Sequence, residues 1–389
     1  MKGLCILGST GSIGQNTLRV VRSLPDRFRV ISLAAGKNLD VLAKQIREFS
    51  PQVVSVGIRD AVEPLRQRLG TNHTVRIVAG AEGSVEAATH AEVDFVVSSA
   101  HGVTGVQATY EAIRAGKQIG LANKETLVVA GEVVTRAARE RGVDLLPIDS
   151  EHSALHQCLR AGRQREVLRL LLTASGGPFL RTPLAELSAV TPERALKHPI
   201  WKMGSRITID SATMMNKGLE IIEAHWLFGL PSGQIEVLIH PESIVHSMIE
   251  FQDGTVMAQL SVADMRLPIQ YALTYPDRVE LQGEGLKLDL PAAGSLHFEA
   301  PEHARFPCLD LARAALEEGG ALPCALNAAD EIAVEAFLAR RLRFMSIPRV
   351  IEEVMRRTPR VHLSALDDVL ESDREARQRA LEQVARLAD

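Results

Sequence analysis

Three carboxylates are the residues in this chain best suited to carry out chemistry. Asp149 and Glu151 lie in the run PIDSEH, and Glu220 ends the run DSATMMNKGLE. Hard divalent cations such as Mg²⁺ and Mn²⁺ prefer oxygen ligands of this kind. The second run also supplies Ser, Asn and Lys, which bind phosphate esters. The pattern indicates a metal-assisted site for a small phosphorylated substrate. Helix-capping acids and a solvated helix face are the alternative.

The first residues of the chain predict a dinucleotide-binding turn. An apolar run of strand length leads into Gly8, Gly11 and Gly14, after which apolar residues return at helical spacing. A strand, a glycine turn and a helix N-terminus together bind a pyrophosphate. The spacing GxxGxxG is a variant of the usual fingerprint. A second strand, residues 29–35, follows at the distance expected for a βαβ unit.

The residue after that second strand indicates which dinucleotide binds. NAD enzymes carry an acid there for the ribose 2′-hydroxyl, whereas this chain has Lys37. A lysine attracts a 2′-phosphate, so NADPH is favoured over NADH. An ordinary exposed turn lysine is the alternative for Lys37.

Composition and charge exclude several classes of protein. The 389 residues are enough for two or three domains, and a net charge of −4 gives no general attraction for nucleic acid. No apolar run is long enough to span a bilayer, and a strand predicted close to Met1 leaves no room for a signal peptide. We therefore expect a soluble, cytoplasmic protein. The cysteines form no CxxC pair, so we expect reduced, mostly buried thiols: Cys5, Cys158, Cys308 and Cys324.

Short apolar runs that alternate with amphipathic stretches predict an α/β fold with an N-terminal Rossmann-like, doubly wound sheet. Further strands are predicted at residues 53–56, 76–79, 95–98, 118–122 and 143–148. Such sheets bind ligands at the carboxyl ends of their strands. Polar clusters follow three of these strands, at residues 98–102, 122–125 and 149–151. In extended chain, the i, i+2 spacing would send Asp149 and Glu151 to one side.

The pattern changes after residue 150 and predicts a central α+β domain. A buried strand at residues 168–174 leads into a Gly- and Pro-rich stretch that contains Trp201. This stretch is a candidate lid over a bound ligand, with a simply packed tryptophan as the alternative. A helix over residues 216–228 would place Asn216, Glu220 and Glu223 on one face, next to Lys217.

Two later patterns predict a β-hairpin and a C-terminal helical bundle. Residues 243–262 form a hairpin pattern around Asp253-Gly254, which favours a type I′ turn and offers a sheet edge for pairing between subunits. From Leu309 onward, amphipathic spacing predicts a small helical bundle that supports the site.

Three alternative functions fit the sequence less well. His152 and His156 lie four apart, but a zinc site needs a third nitrogen or sulfur ligand nearby. A short-chain reductase would need Tyr-x-x-x-Lys, and no lysine follows Tyr110, Tyr271 or Tyr275 at that spacing. A non-catalytic nucleotide sensor would need neither three acids nor a phosphate cluster.

Five runs closely resemble the 1-deoxy-D-xylulose 5-phosphate reductoisomerase family, in order and over the whole chain: residues 8–14, 122–125, 149–152, 175–179 and 210–220. The resemblance implies a homodimer that uses NADPH and Mg²⁺, Mn²⁺ or Co²⁺. Its product would be 2-C-methyl-D-erythritol 4-phosphate of the non-mevalonate isoprenoid pathway. It also implies an NADPH-binding domain (1–149), a catalytic and dimerisation domain (150–275) with a lid at about 175–205, a linker (276–300) and a helical bundle (301–389).

The resemblance assigns site residues by matched position. The implied metal ligands are Asp149, Glu151 and Glu220, and these are implied to be catalytic together with Lys124. The substrate's hydroxyl and carbonyl oxygens would face Lys124, Ser150 and Glu151, and Glu220 is also implied to bind the substrate. Its phosphate would contact Ser175, His198, Ser211, Asn216 and Lys217, with Trp201 as the lid residue. NADPH would contact Thr10, Gly11, Ser12, Ile13, Gly36, Lys37, Asn38, Asn123, Glu125 and Gly204.

Overall fold

The computed structural model describes residues 1–70, 74–100, 102–197, 200–201, 204–280 and 285–387. The strands are β1 (Lys2–Leu7), β2 (Phe28–Ala35), β3 (Val53–Val56), β4 (Arg76–Ala79), β5 (Phe95–Ser98), β6 (Gln118–Leu121), β7 (Leu145–Pro147), β8 (Val167–Ala174), β9 (Ile235–Ile239), β10 (Val245–Phe251) and β11 (Val256–Leu260).

The helices are α1 (Ser12–Ser23), α2 (Leu39–Phe49), α3 (Val62–Leu69), α4 (Gly80–Thr89), α5 (Val103–Arg114), α6 (Glu125–Arg141), α7 (Ser150–Cys158), α8 (Pro192–Ala195), α9 (Ser205–Thr213), α10 (Met215–Phe228), α11 (Arg266–Thr274), α12 (Leu290–Ala293), α13 (Pro307–Glu318), α14 (Leu322–Leu338), α15 (Ile347–Arg357) and α16 (Leu366–Leu387). In the part of the chain that the structure describes, none of these helices combines the length and hydropathy that crossing a membrane requires.

Contacts divide the chain into two units. The first unit comprises Met1–Thr126, Val134–Ser153 and Asp264–Leu286, and the second comprises Leu127–Val133, Ala154–Ala263 and Lys287–Asp389. Residues 264–286 thus belong by contact to the first unit, where Ile269 and Leu273 of α11 are buried in its core.

A parallel sheet organises the first unit, in the order β4-β3-β2-β1-β5-β6-β7. The central strands β1, β3 and β5 are buried almost throughout, because helices cover both faces of the sheet. For this reason their sequences are continuous apolar runs and do not alternate with polar residues. The predicted Rossmann-like doubly wound sheet is confirmed, with strand ends within two residues of the predicted ones.

The second unit contains a mixed sheet in the order β11-β10-β8-β9, in which β8 and β9 are parallel and the other pairs are antiparallel. The predicted hairpin is β10–β11, but its turn is not of type I′. That turn needs a positive φ at both central residues, whereas Gly254 has φ +82° and Asp253 does not have a positive φ. The Asp253 carboxylate instead accepts a hydrogen bond from the Thr255 amide at 2.9 Å.

The remaining helices of the second unit form the predicted bundle. Helices α13 to α16 share one apolar core with α9 and α10, in which Phe337, Ile347 and Ile351 are almost fully buried. Met215, Leu219 and Ile222 of α10 belong to this core, so the bundle supports the helix that carries Glu220.

Candidate functional site

The parallel sheet brings several predicted site segments to one edge of the first unit. The strands β1, β2, β6 and β7 run in the same direction, so the segments that follow them emerge at the same edge. These segments are residues 8–14, 36–38, 122–125 and 149–151. Fold topology therefore gathers residues that are more than a hundred positions apart in sequence.

The glycine turn after β1 depends on close backbone contacts. Gly8 has φ +82°, and a Cβ on it would lie 2.5 Å from the Ser99 carbonyl oxygen. A Cβ on Gly14 would lie 2.5 Å from the Gly8 carbonyl oxygen. Helix α1 begins at Ser12, and no side chain caps its N-terminus. Its first amides thus fit a pyrophosphate, with Thr10, Gly11, Ser12 and Ile13 at least partly accessible.

A buried glutamine that the sequence patterns do not reveal holds this turn. Gln45 of α2 accepts a hydrogen bond from Ser9 Oγ at 2.9 Å and donates one from Nε2 to the Ser9 carbonyl at 2.8 Å. Polar residues on the buried face of an amphipathic helix are the only sequence signal that could have indicated this role.

The end of β2 leaves open space where the NADPH ribose is expected. Gly36, Lys37 and Asn38 are all exposed, and a Cβ on Gly36 would meet no atom within 4 Å. The Asn38 side chain caps α2 by accepting a hydrogen bond from the Val41 amide at 3.2 Å. Lys37 is thus exposed, which agrees with the alternative of an ordinary turn lysine. The same exposure leaves its ammonium accessible to a 2′-phosphate.

Asn123 presents a buried acceptor after β6. Its Nδ2 donates to the carbonyls of Ala100 at 2.6 Å and Gly102 at 3.3 Å. Its Oδ1 is buried and has no hydrogen-bond partner among the residues that the structure describes. An orphaned buried acceptor fits the amide of a nicotinamide carboxamide. Nearby Glu125 is also buried, and His101 lies outside the described residues.

The carboxylates after β7 lie close together beside a lysine. One carboxylate oxygen of Asp149 and one of Glu151 lie within 4.8 Å of each other. Lys124 Nζ lies 3.0 Å from Asp149 Oδ2, and Ser150 Oγ donates to Glu151 Oε2 at 2.7 Å. Two converging carboxylates resist ionisation unless a positive charge lies between or beside them, so the pair fits a hard divalent cation.

The reason for this convergence differs from the predicted one. The chain is not extended here, since α7 begins at Ser150 and Asp149 precedes it as a cap. Asp149 Oδ1 accepts hydrogen bonds from the amides of Glu151 at 3.1 Å and His152 at 3.3 Å. Asp149 is thus a helix-capping acid, as the alternative interpretation stated. Its second carboxylate oxygen, Oδ2, is the one that pairs with Lys124. The buried His152 ring also contacts this carboxylate, with Nδ1 3.2 Å from Oδ1.

In the second unit, a glycine contact brings two predicted phosphate residues together. Ser175 follows β8, and its Oγ accepts a hydrogen bond from the Gly177 amide at 3.3 Å. Gly177 has φ +68°, and a Cβ on it would lie 2.6 Å from the Ser211 carbonyl oxygen. Any larger residue would push the Ser175 turn away from α9, which carries Ser211.

Helix α10 brings an amide, an ammonium and a carboxylate together. Asn216 Nδ2 donates to Glu220 Oε1 at 2.6 Å, and Lys217 Nζ donates to Glu220 Oε2. Lys217, Glu220 and Glu223 are nearly inaccessible, so this polar face of α10 is buried and not solvated. The alternative of a solvated helix face is wrong. Buried groups of this kind need compensating charges.

The candidate lid is described only in part. His198 lies outside the described residues, while Trp201 is half-buried with its ring centroid 6.3 Å from that of His246. Gly204 is exposed and precedes α9, where a Cβ would meet no atom within 4 Å.

Thiol chemistry plays no part in this site. All four cysteines are free and buried, as expected. Burial raises the pKa of Cys5 and Cys324 to about 12 and that of Cys158 to about 11. The thiols therefore stay protonated and are poor nucleophiles at neutral pH.

Family models match most of the chain. Residues 4–131 match 1-deoxy-D-xylulose 5-phosphate reductoisomerase, residues 145–228 its C-terminal domain, and residues 260–379 the DXP reductoisomerase C-terminal domain. A 1-deoxy-D-xylulose 5-phosphate reductoisomerase from Chlorobium phaeobacteroides is 53% identical over 380 residues, which cover 98% of both chains.

Solved structures agree with these matches. The reductoisomerase from Zymomonas mobilis in complex with NADPH is 42% identical, with a TM-score of 0.92 over 98% of this chain and 99% of that one. A DOX-P reductoisomerase in complex with NADPH, fosmidomycin and magnesium is 39% identical, with a TM-score of 0.93 over 100% of both chains.

Proposed function

The chain belongs to the 1-deoxy-D-xylulose 5-phosphate reductoisomerase family, and we propose that it converts that sugar phosphate into 2-C-methyl-D-erythritol 4-phosphate with NADPH and a divalent cation. This reaction belongs to non-mevalonate isoprenoid synthesis. The observation that carries the proposal is the carboxylate pair of Asp149 and Glu151, which lies at the same sheet edge as the glycine turn.

Glu220 completes the cation site in this proposal, together with Asp149 and Glu151, and the ion is Mg²⁺, Mn²⁺ or Co²⁺. The support is chemical, since three carboxylates supply the hard oxygen ligands that these ions prefer. When bound, the cation supplies Lewis acidity toward the substrate's carbonyl and hydroxyl oxygens, and NADPH supplies a hydride.

NADPH would contact residues from each segment of the sheet edge. The turn and α1 N-terminus would bind its pyrophosphate, Lys37 its 2′-phosphate, and Asn123 its carboxamide. The full set is Thr10, Gly11, Ser12, Ile13, Gly36, Lys37, Asn38, Asn123, Glu125 and Gly204.

The substrate would be oriented from both ends. Its phosphate would contact Ser175, His198, Ser211, Asn216 and Lys217, while Lys124, Ser150 and Glu151 face its oxygens. Binding energy from the remote phosphate would then hold the reacting carbons in place. The Lys124 ammonium would stabilise charge that develops on a substrate oxygen. Trp201, within the lid at about 175–205, would exclude water from the bound sugar.

The protein would act as a cytoplasmic homodimer. The edge strand β11 exposes Val256 by 46%, Met257 by 40% and Leu260 by 37%. An exposed apolar edge strand favours pairing with another strand. In this proposal, β11 of a second copy supplies the backbone hydrogen-bond partners for this edge. In this proposal the domains divide at residues 149, 275 and 300.

Chelation tests the proposed reaction directly. NADPH oxidation with 1-deoxy-D-xylulose 5-phosphate should stop on addition of EDTA and return when Mn²⁺ or Mg²⁺ is added in excess. Oxidation that persists without metal would contradict the proposal, as would its absence in metal-supplemented protein.

A further inference from the structure

Helix α9 links two parts of the proposed substrate site. It begins directly after Gly204, at the end of the lid, and it carries Ser211 next to Asp210. Its N-terminus has no side-chain cap, so contacts along the helix contribute more to its position. Whatever holds α9 therefore also sets the position of Ser211.

An arginine of α9 is bound by three residues of α14. Arg206 donates to Glu331 Oε1 at 2.7 Å and to Asn327 Oδ1 at 3.0 Å. Its guanidinium also lies 3.6 Å from Asp330 Oδ2 and 3.6 Å from Asp210 Oδ2. We call Arg206, Asp330 and Glu331 the α9 clamp.

The clamp continues into the last helix. Arg377 of α16 donates to the second oxygen of Glu331 and, at 2.7 Å, to Asp373 Oδ2. The network thus contains two guanidinium groups and four carboxyls, of which Asp330 is fully buried. Charge balance requires that some of these carboxyls be neutral.

Protonation of Asp330 resolves the imbalance. Burial and the neighbouring Asp210 carboxylate hold the pKa of Asp330 well above its usual range, despite Arg206. Burial alone would raise the pKa of Glu331 too, but Arg206 and Arg377 lower it, so Glu331 stays ionised. Burial likewise raises the pKa of Asp373. Both carboxyl oxygens of Asp330 are buried and have no hydrogen-bond partner among the described residues, so a neutral Asp330 can donate a hydrogen bond to Asp210, the residue beside Ser211.

We propose that the α9 clamp fixes α9 to the C-terminal bundle and that Asp330 is a positioning residue, which acts through Asp210 to place Ser211 for the substrate's phosphate. This inference rests on the proposed function for its choice of ligand. It assigns the bundle a part in substrate binding, where the sequence indicated support alone.

Three variants test the clamp. Asp330→Ala removes the donor to Asp210, and Asp330→Asn keeps a donor of similar shape. Asp373→Ala removes a buried carboxyl of the same network that pairs with Arg377 on α16. Asp330→Ala should raise KM for 1-deoxy-D-xylulose 5-phosphate about tenfold, with kcat within about threefold and NADPH binding unchanged. Asp330→Asn should have a KM close to that of the wild type, and Asp373→Ala should not change KM.

Hydrogen exchange separates this inference from the proposed reaction. Amides of α9 should exchange faster in Asp330→Ala but not in Asp330→Asn or Asp373→Ala, whether or not the wild type turns over. If Asp330→Ala does not fold, Arg206→Gln breaks the clamp at its partly exposed arginine. This variant should show the faster α9 exchange and the higher KM that are predicted for Asp330→Ala. Unchanged α9 exchange, or an equal rise in KM for Asp373→Ala, would overturn the clamp. An inactive wild type would overturn the proposed reaction alone.

Discussion

Lys124 Nζ lies 3.0 Å from Asp149 Oδ2, and the two side chains are only 9% and 12% exposed. An ion pair with so little exposure is screened weakly by salt, so each charge depends strongly on the other. The same ammonium that neutralises Asp149 is the one we propose faces the substrate.

Replacement of this lysine should separate chemistry from cofactor binding. Lys124→Gln should lower kcat about 10²- to 10³-fold, because a donor to developing oxygen charge is weakened. The Kd for NADPH, measured by fluorescence, should stay within about threefold. Mn²⁺ affinity without substrate should not fall, since a cation that competes for Asp149 is removed. Lys117→Gln, at a partly exposed lysine outside the proposed site, is the control. An unchanged kcat in Lys124→Gln would refute the proposed role of Lys124.

The glycine turn should tolerate no side chain at its closest contact. Gly14→Ala places a Cβ 2.5 Å from the Gly8 carbonyl oxygen, so the turn must shift. We expect the Kd for NADPH to rise at least about tenfold by titration calorimetry. Gly233→Ala, which meets no atom within 4 Å, should bind as the wild type does. Equal NADPH affinity in both variants would mean that this turn does not bind the cofactor.

Much of this site follows from sequence, for reasons that particular residues illustrate. The strands after which Gly8 and Asp149 stand are buried apolar runs, and parallel pairing alone brings their ends to one edge. Helix α10 follows from its periodicity, within one residue of its predicted start at 216.

Other features depend on contacts between residues that are distant in sequence, which local patterns do not reveal. Gln45 reaches the turn from another helix, and Arg206 meets Glu331 across 125 positions. The turn at Asp253 was mispredicted because its side chain hydrogen-bonds to the backbone of Thr255, an option that the Asp-Gly pair does not reveal. Burial of the polar face of α10 is equally invisible in the sequence, because helical spacing of apolar and polar residues predicts a solvated polar face.

The exposed edge of β11 should mediate dimer formation. Met257→Glu places one negative charge on β11 of each copy. In a dimer paired through β11, these two like charges would be buried close together and would repel each other. Sedimentation velocity should show a shift from dimer to monomer. Leu381→Glu, on α16 and 46% exposed, is the matched control and should remain dimeric. If Met257→Glu remained dimeric, the interface would lie elsewhere. If the wild type were monomeric, the proposed dimer would be wrong.

Protonation of Asp330 predicts a specific pH dependence of stability. Its neighbours are Arg206 and Asp210 on α9, Glu331 on α14, and the Cys308 thiol, whose pKa burial also raises. Since the folded protein binds a proton that the unfolded chain releases above about pH 4, the wild type loses stability as pH rises.

Asp330→Asn removes that proton linkage. Its free energy of unfolding relative to the wild type should increase by up to about 1.4 kcal/mol per pH unit between about pH 5 and about pH 7. Urea unfolding monitored by circular dichroism measures the difference. A difference that does not change with pH would mean that Asp330 is ionised in the folded protein.

We propose that Asp149, Glu151 and Glu220 hold a single cation. Mn²⁺ binding measured by electron paramagnetic resonance, in the wild type, Asp149→Asn and Glu220→Gln, tests it most directly. We predict that each substitution weakens the same site at least about 100-fold and abolishes turnover, while NADPH binding stays nearly intact. Wild-type Mn²⁺ affinity in Glu220→Gln would contradict the account.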